Sequence, residues 1–317
     1  MLASSKQPLR TYGVPPAAAA IIDCHCHAGP GDGLTGPWDT DAPLGAYLRR
    51  ADAVGIARTV LFAAFHSDYA VANREVARIV ARRPERFLGF AFVHPERDRG
   101  RVRLLVQVAV ERYGFAGIKV HRHDARITRE VCDAARAFRL PVLYDPMGEV
   151  SVADLLAEAY PDVPFIIPHL GSFADDWRAQ RAFLDPLSRY PNIHTDSSGV
   201  RRFDLLEEAV RRAGAHKLLF GSDGPWLHPG LELAKIRALG LPPAKERQVL
   251  SENLLRLISG RLPSALPHPG RRRGRESSPD MGGEGLEGRP GTARRRDDGE
   301  NQAEVRDPWR APEHQPA

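Results

Sequence analysis

Residues 20–27 read AIIDCHCH, a short apolar run that leads directly into two histidines separated by one residue. In a β-strand successive side chains point to opposite faces, so Asp23, His25 and His27 share one face. The residues between them, Cys24 and Cys26, take the other face. The stretch therefore predicts a strand with one polar face and one apolar face that can pack on helices.

The same kind of run recurs along the chain as far as residue 258, each time followed by an amphipathic helical stretch such as LGAYLRRADAVG (44–55) or FDLLEEAVRRAG (203–214). Strand alternating with helix predicts βαβ units and a parallel sheet. Eight units in roughly 240 residues fit an α/β fold of the (β/α)8 TIM-barrel type. The predicted strands are 20–27, 58–66, 86–94, 115–121, 140–145, 164–169, 192–198 and 217–223.

A doubly wound open sheet is the alternative architecture. It calls for a glycine-rich phosphate loop after the first strand. The candidate loop, GPGDG (29–33), lacks the GxGxxG spacing, which favours the barrel.

The two ends of the chain differ from the middle in composition. We expect residues 1–19 to be an N-terminal extension and residues 20–261 to form the barrel. Residues 262–317 are rich in Arg, Gly and Pro. Such a segment buries too little apolar surface to offset its ordering entropy, which predicts a disordered tail.

Charge and cysteine usage exclude several classes of protein. The formal net charge is +5, but arginine is spread over the predicted helix faces, which argues against a nucleic-acid partner. Three cysteines, Cys24, Cys26 and Cys132, are too few for a disulfide framework and indicate a reducing, cytoplasmic setting. No apolar run approaches the ~20 residues that span a bilayer, so no membrane association is expected.

Polar side chains able to bind a metal stand at the carboxyl ends of nearly all the predicted strands. One such histidine alone would be read as a structural residue, but repetition at one end predicts a shared site, because barrel strand ends converge on one face. Imidazoles with a carboxylate suit zinc or a similar transition metal. The residues are His25, His27, His66, His94, Lys119, His121, Asp145, His169 and Asp223.

The interleaved Cys-His-Cys-His also allows a structural zinc knuckle as an alternative. Strand alternation opposes this reading, because the thiols would point away from the imidazoles. A second Cys/His pair at zinc-finger spacing is also missing from the sequence.

Several pieces together resemble one known family, the amidohydrolase-related branch of the metal-dependent hydrolases, which comprises TIM-barrel hydrolases and decarboxylases. The resemblance spans residues 20–260, essentially the whole predicted barrel. The matching pieces, in order, are IIDCHCH, GFAGIKVH, FIIPHLGSF, NIHTDSSG, LLFGSDGPW and SENLLRLI.

The resemblance implies a divalent metal held by His25, His27 and Asp223, with zinc expected and manganese or magnesium as alternatives. It makes His169 either a further ligand or a group that stabilises charge on the substrate. The metal would polarise a carbonyl or activate water, and Asp223 would take the proton as general base. Asp23 is interpreted as a support for the two histidines.

One position departs from the family pattern, since Asp145 stands where the fifth strand usually ends in histidine. Asp145 is expected to be a ligand or near-ligand, because a buried carboxylate needs a cationic partner. The alternative is a weakened metal site, as in relatives that work without a metal. Lys119 is a candidate partner for Asp145, and a carbamylated Lys119 bridging two metals, as in another branch, stays open.

Substrate contacts are predicted for Lys119, His121, Arg122 and Trp226 from their places at strand ends and in the following loops. Arg122 could clamp a carboxylate in a bidentate manner, or be a solvated loop arginine. Trp226 and Trp38 are candidates for an apolar wall at the mouth of the site.

The favoured function is metal-dependent hydrolysis of a small lactone, ester or amide. The second hypothesis is non-oxidative decarboxylation of a small unsaturated or aromatic acid, and the third is a catalytically inactive barrel that binds a ligand. The expected partner is a small-molecule substrate, and a homodimer is left open.

Overall fold

The computed structural model describes residues 20–34, 41–174 and 176–259. The predicted N-terminal extension, the predicted tail and Trp38 lie outside these ranges. Eight parallel strands are hydrogen-bonded in the order of the sequence and alternate with helices, which confirms the predicted TIM barrel. The strands are β1 (Ile21–Ala28), β2 (Ile56–Ala63), β3 (Phe87–Phe92), β4 (Gly117–His121), β5 (Val142–Asp145), β6 (Phe165–Ile167), β7 (Ile193–Asp196) and β8 (Leu218–Leu219).

The helices occupy the predicted positions between the strands. The final helical segment, residues 243–258, is continuous but passes through a π-helical turn at Gln248–Glu252. The helices are α1 (Leu44–Ala53), α2 (Tyr69–Arg82), α3 (Val102–Tyr113), α4 (Arg129–Phe138), α5 (Val152–Ala159), α6 (Trp177–Arg189), α7 (Phe203–Ala213), α8 (Pro229–Ala238), α9 (Pro243–Arg247) and α10 (Asn253–Ile258).

Several strands end earlier than the sequence predicts, and the polar residues assigned to their ends lie in the loops just beyond. His169 and Asp223 have left-handed backbone, with φ of 59° and 55°, which cannot continue a strand. His66 and His94 also follow the last strand residue. The chain thus leaves the sheet before the polar side chain, and the loop conformation sets its direction.

The barrel is closed by contacts between β1 and the segment that follows β8. Cys24 N–H donates to the Phe220 carbonyl at 2.9 Å, and His27 N–H donates to the Gly224 carbonyl at 2.6 Å. These bonds bring the chain around Asp223 beside the two histidines of β1.

The core lies on both sides of the sheet. Ile22, Cys24 and Cys26 face the helices and are buried in one apolar cluster with residues of the surrounding helices, as the alternation of β1 predicts. At the amino-terminal end of the barrel, the buried Lys217 ammonium donates to the carbonyls of Tyr190, Pro191 and Ile193, which fastens the start of β8 to β7.

Among the described residues, the helices are too short or too polar for any of them to traverse a bilayer.

Replacing Gly89 by alanine tests how tightly β3 is packed. A Cβ at Gly89 would lie 2.2 Å from the ring of Phe115, which is 3% exposed and cannot move outward. We expect Gly89→Ala to lower the free energy of unfolding by about 1–3 kcal/mol, as overpacking does. Urea unfolding measures this.

Gly45→Ala is the matched control, since a Cβ there meets only Arg49 at 3.8 Å in an exposed helical position. It should leave stability unchanged or raise it by up to about 1 kcal/mol. Equal stability of the two variants would contradict the packing described for β3.

Candidate active site

His25, His27 and Asp223 come together at the carboxyl end of the barrel. In the described part of the chain they form one group whose potential ligand atoms all lie within 4.8 Å of one another. The Asp223 Oδ1 atom is 3.3 Å from His25 Nε2 and 3.7 Å from His27 Nε2. Both histidines are buried, so the group encloses a small space lined by nitrogen and oxygen.

Hydrogen bonds on the far side of each ring fix the tautomers of these two histidines. His25 Nδ1 lies 2.8 Å from Asp196 Oδ2, and His27 Nδ1 lies 2.9 Å from the Ala63 carbonyl. Both partners only accept, so Nδ1 carries the hydrogen and Nε2 presents a lone pair. Burial lowers the pKa of His25 and lowers that of His27 further, which favours the neutral ring that a metal needs.

His169 belongs to the same class of histidine. Its Nδ1 lies 2.6 Å from the Ser198 carbonyl, so this nitrogen also carries the hydrogen. The ring centroid is 5.1 Å from that of His25. Its Nε2 faces Asp145 Oδ2 at 3.6 Å. A lone pair and a carboxylate facing each other at this distance call for a proton or a cation between them.

Asp145 is buried between two histidines. His121 Nε2 lies 3.2 Å from Asp145 Oδ2, and the Met147 N–H donates to Oδ1 at 2.8 Å. Burial by itself raises the pKa of the Asp145 carboxyl, but His121, His169 and Lys119 outweigh it and hold the pKa well below its usual range. Asp145 is therefore ionised and adjoins the His25–His27–Asp223 group through His169.

A second class of strand-end histidine has the opposite tautomer. His121 Nδ1 accepts from the His123 N–H at 3.1 Å, so the hydrogen is on Nε2 and points to Asp145. His66 and His94 accept a backbone N–H two residues further on in the same way, at 2.9 and 3.3 Å. The first class presents lone pairs for a metal, and the second presents N–H donors.

Lys119 brings an unsatisfied cation into the barrel. The side chain is fully buried, and among the described residues its Nζ has no hydrogen-bond partner. It lies 4.9 Å from the centre of the Phe62 ring. Burial lowers the pKa of Lys119, while Asp145 and Asp223 oppose that shift. A buried donor without a partner is costly, so Lys119 Nζ is a candidate to bind an acceptor group.

Two aromatic rings, those of Trp226 and Phe173, lie against the histidines of the candidate site. The Trp226 ring centre is 4.5 Å from that of His27, and Phe173 meets His169 edge-on at 5.1 Å. The Trp226 Nε1 atom is buried and has no partner in the ranges that the structure describes. The wall is therefore apolar, with one indole N–H available.

Arg122 lies at the rim of the site. Its Nε is 3.2 Å from Glu149 Oε2, and its side chain is 37% exposed. Arg126 binds the same carboxylate. Arg122, which the sequence suggests as a carboxylate-binding residue, is thus paired with Glu149 and is more exposed than Lys119 or His121.

Asp23 fulfils the predicted supporting role. Its carboxylate accepts from the His25 N–H at 3.1 Å, the Ser222 N–H at 2.9 Å and the Tyr47 hydroxyl at 2.7 Å. Burial raises the pKa of Asp23 to about 6. The carboxyl ties β1 to the residue that precedes Asp223.

Two residues of the site were missed by reasoning from sequence, Asp196 and Ser198. Asp196 holds His25 through Oδ2, while its Oδ1 accepts from the Ser198 N–H at 3.0 Å and from the Ser198 hydroxyl at 2.6 Å. Burial raises the pKa of Asp196, but His25 and His169 reverse the effect and keep it ionised. The available signal was an aspartate ending the seventh strand in NIHTDSS.

The donor set fits a divalent cation. Three imidazoles present Nε2 lone pairs, and two carboxylates, Asp223 and Asp145, supply negative charge at the same end of the barrel. The thiols of Cys24 and Cys26 are on the other face of β1, so the zinc-knuckle alternative has no support in this geometry. Nitrogen and carboxylate ligands suit zinc, manganese or iron.

A family model described as amidohydrolase matches residues 22–258. Solved structures with the same fold include 2,6-dihydroxybenzoate decarboxylase from Rhizobium, at 19% identity and a TM-score of 0.60, covering 76% of this chain and 98% of that one. The dihydroxybenzoic acid decarboxylase from Polaromonas sp. JS666, solved with manganese and 2-nitroresorcinol, is 18% identical with a TM-score of 0.57 and coverages of 76% and 97%.

A third structure, from Pseudomonas putida and assigned as a 2-pyrone-4,6-dicarboxylic acid hydrolase, is 19% identical with a TM-score of 0.59 and coverages of 77% and 99%. No curated protein matches the chain by sequence. At these identities the solved structures establish the fold alone, and they include both hydrolytic and decarboxylating enzymes.

Asp196→Asn tests whether the β7 carboxylate supports the histidines. The change keeps the size of the side chain but removes the charge that holds the His25 Nδ1–H. We expect the dissociation constant for Zn²⁺ or Mn²⁺ to rise roughly 10- to 100-fold, as for other outer-shell partners of metal-binding histidines. Equilibrium dialysis with elemental analysis measures it.

Asp204→Asn is the control, since Asp204 pairs with Arg202 on the exposed start of α7. It should bind metal like the wild type. Wild-type affinity in Asp196→Asn would remove this residue from the site.

Proposed function

Because the chain belongs to the amidohydrolase family, we propose that it is a metal-dependent hydrolase of a small lactone, ester or amide that carries a carboxylate. The observation that carries the proposal is the buried His25–His27–Asp223 group with its Nε2 lone pairs directed inward. The three cysteines of the chain are unpaired and buried, which supports a cytoplasmic location.

His25, His27 and Asp223 would hold the metal, and His169 and Asp145 would supply further ligand atoms. A divalent ion there would polarise the substrate carbonyl and lower the pKa of a water molecule. We take zinc as the ion and keep manganese and magnesium as alternatives. Nitrogen ligands favour zinc, while the extra carboxylate of Asp145 is also compatible with the harder ions.

Asp223 acts as the general base. Its side chain is 13% exposed, against 1% for His25 and 4% for His27, so it is the member of the group that solvent reaches most easily. It accepts the proton that water loses on adding to the carbonyl carbon, and returns it to the leaving oxygen or nitrogen as that bond breaks. Because the Ser198 carbonyl holds the hydrogen on Nδ1, His169 presents a lone pair at Nε2, so we assign it to the metal and not to the negatively charged substrate oxygen.

The substrate is held by the groups that the fold leaves unsatisfied. The Lys119 ammonium offers its hydrogens to a carboxylate, and the Trp226 indole N–H is a second buried donor without a partner among the described residues. The rings of Trp226 and Phe173 suit a planar, unsaturated body. His121 is committed to Asp145 and takes part by holding that carboxylate, while Arg122 contributes at the rim.

Decarboxylation of a small unsaturated or aromatic acid is the second candidate, and Lys119 also favours it. In hydrolysis the buried Lys119 ammonium would bind a carboxylate remote from the bond that breaks. In decarboxylation it would bind the carboxylate that leaves as carbon dioxide. Both reactions use an acid as substrate, so they are separated by the product.

Product analysis in ¹⁸O-labelled water separates the two reactions. Carboxylated lactones and hydroxylated aromatic acids are incubated with the metal-loaded protein, and the products are examined by mass spectrometry. Hydrolysis places ¹⁸O in the product and releases no carbon dioxide. Carbon dioxide with no ¹⁸O incorporated would overturn hydrolysis in favour of the second candidate.

Asp223→Asn is the accompanying variant, and we expect it to lower kcat at least a hundredfold, as loss of a general base does. The wild-type rate in this variant would remove Asp223 from the reaction.

If the metal-loaded wild type turns over none of these acids, the result would favour a barrel that only binds a ligand.

Lys119→Met tests the role of the buried ammonium. Methionine keeps the length of the side chain and removes the charge, which costs about 2 kcal/mol of binding to a carboxylate and raises KM roughly thirtyfold. An ester analogue without the carboxylate should keep its KM. Steady-state kinetics on the pair of substrates gives the answer, with the exposed Lys245→Met as control.

A further inference from the structure

We propose that Glu232 on α8 is a positioning residue for the metal centre, acting through the loop that follows β7. This inference rests on the proposed function, since it concerns the histidines that would bind the metal. Glu232 itself contacts neither His25 nor His169. Its effect is transmitted through the backbone of residues 197–200.

The loop is fastened to α8 by two side chains one helical turn apart. Glu232 Oε2 accepts from the Gly199 N–H at 3.1 Å and lies 2.5 Å from the Lys235 ammonium. Lys235 in turn donates to the Ser197 carbonyl at 3.1 Å and the Val200 carbonyl at 3.0 Å. Three backbone groups in four consecutive residues are therefore held by one ion pair.

Ser198, inside this loop, touches the supports of two histidines at once. Its carbonyl accepts from His169 Nδ1 at 2.6 Å, and its hydroxyl donates to Asp196 Oδ1 at 2.6 Å. The same hydroxyl oxygen is 3.4 Å from His25 Nδ1. A shift of the loop thus changes the ring orientation of His169 and the carboxylate that holds His25.

The loop has little freedom to adjust by other means. Gly199 has φ of 63°, and a Cβ there would meet the Phe173 ring at 2.5 Å and His169 Nδ1 at 3.2 Å. The close approach that requires glycine also places the loop directly against His169. The other side chains that hold this backbone are Lys235, which is itself paired with Glu232, and Asp196, which accepts from the Ser198 N–H.

The ion pair joins the buried Glu232 to the half-buried Lys235, whose side chain is 21% exposed, and it orients the loop more than it stabilises the fold. Glu232 is 8% exposed, and burial raises its pKa, while Lys235 and the Gly199 N–H oppose the shift. A buried ion pair offsets its own desolvation only partly, and apolar replacements are often as stable. Its position is therefore explained by what it holds. The same helix follows the loop that carries Asp223.

The experiment compares Glu232→Ala with Glu232→Gln, which keeps an oxygen acceptor for Gly199, and with Glu208→Ala. Glu208 forms ion pairs on α7 and does not contact the loop, so it is the matched control. Two quantities are measured on the full chain. They are the Zn²⁺ dissociation constant and, in the metal-free protein with ¹⁵N-labelled histidine, the solvent exchange of the His169 Nδ1–H.

We expect Glu232→Ala to raise the dissociation constant roughly tenfold, within the range seen for supports of metal ligands. Exchange of the His169 Nδ1–H should accelerate by a similar factor, and its signal is assigned by its loss in His169→Gln. Glu232→Gln should restore most of both values, and Glu208→Ala should match the wild type. A merely structural role would lower the melting temperature without moving the histidine signal.

A double variant, Glu232→Met with Lys235→Met, removes both charges and avoids an unpaired buried one, so it tests the same idea if Glu232→Ala does not fold. Unchanged histidine exchange in either folded variant overturns the proposal. The histidine exchange is measured without metal, so it tests the role of Glu232 even if the wild type binds no Zn²⁺. Failure of the wild type to bind Zn²⁺ would instead overturn the proposed function.

Discussion

The carboxyl of Asp23 is the point on which the geometry of the site depends. It accepts bonds from β1, from the Tyr47 hydroxyl of α1 and from Ser222, the residue next to Asp223. A parallel sheet closes into a barrel only if its first strand meets its last. By joining the two at this level, Asp23 sets the distance between the histidines of β1 and the carboxylate that follows β8.

The group that is hydrogen-bonded to Nδ1 determines whether the Nε2 of each histidine carries a lone pair or a hydrogen. A ring that donates from Nδ1 to a carbonyl or carboxylate is left with a lone pair on Nε2, as in His25, His27 and His169. A ring that accepts a backbone N–H at Nδ1 is left with a donor, as in His121. The hydrogen-bond partner of Nδ1 therefore selects between ligand and proton donor for side chains of identical chemistry. Asp145 contacts both kinds of ring, His169 of the first and His121 of the second.

Much of this arrangement could be predicted because it is written in local patterns. Alternation in IIDCHCH gives the polar face of β1, and repetition of strand and helix gives the barrel, whose strand ends must converge. Asp196 and Ser198 escaped prediction because their partners are far away in sequence: Asp196 meets His25 across 171 positions. Nor does a motif reveal that Arg122 is engaged by Glu149, since that depends on the direction of a long side chain in a loop.

The interleaving of cysteine and histidine in β1 has a consequence for which ions the protein accepts. Thiolates bind soft ions such as Cu(I) far more strongly than they bind manganese or magnesium. Because Cys24 and Cys26 are turned toward the helices and fully buried, the His25–His27–Asp223 group offers only imidazole nitrogen and carboxylate oxygen as ligand atoms. A shift of this strand by one residue would turn the cysteines toward the site and the histidines toward the helices. The pleat of a single strand thus keeps thiolate sulfur out of the candidate ligand set.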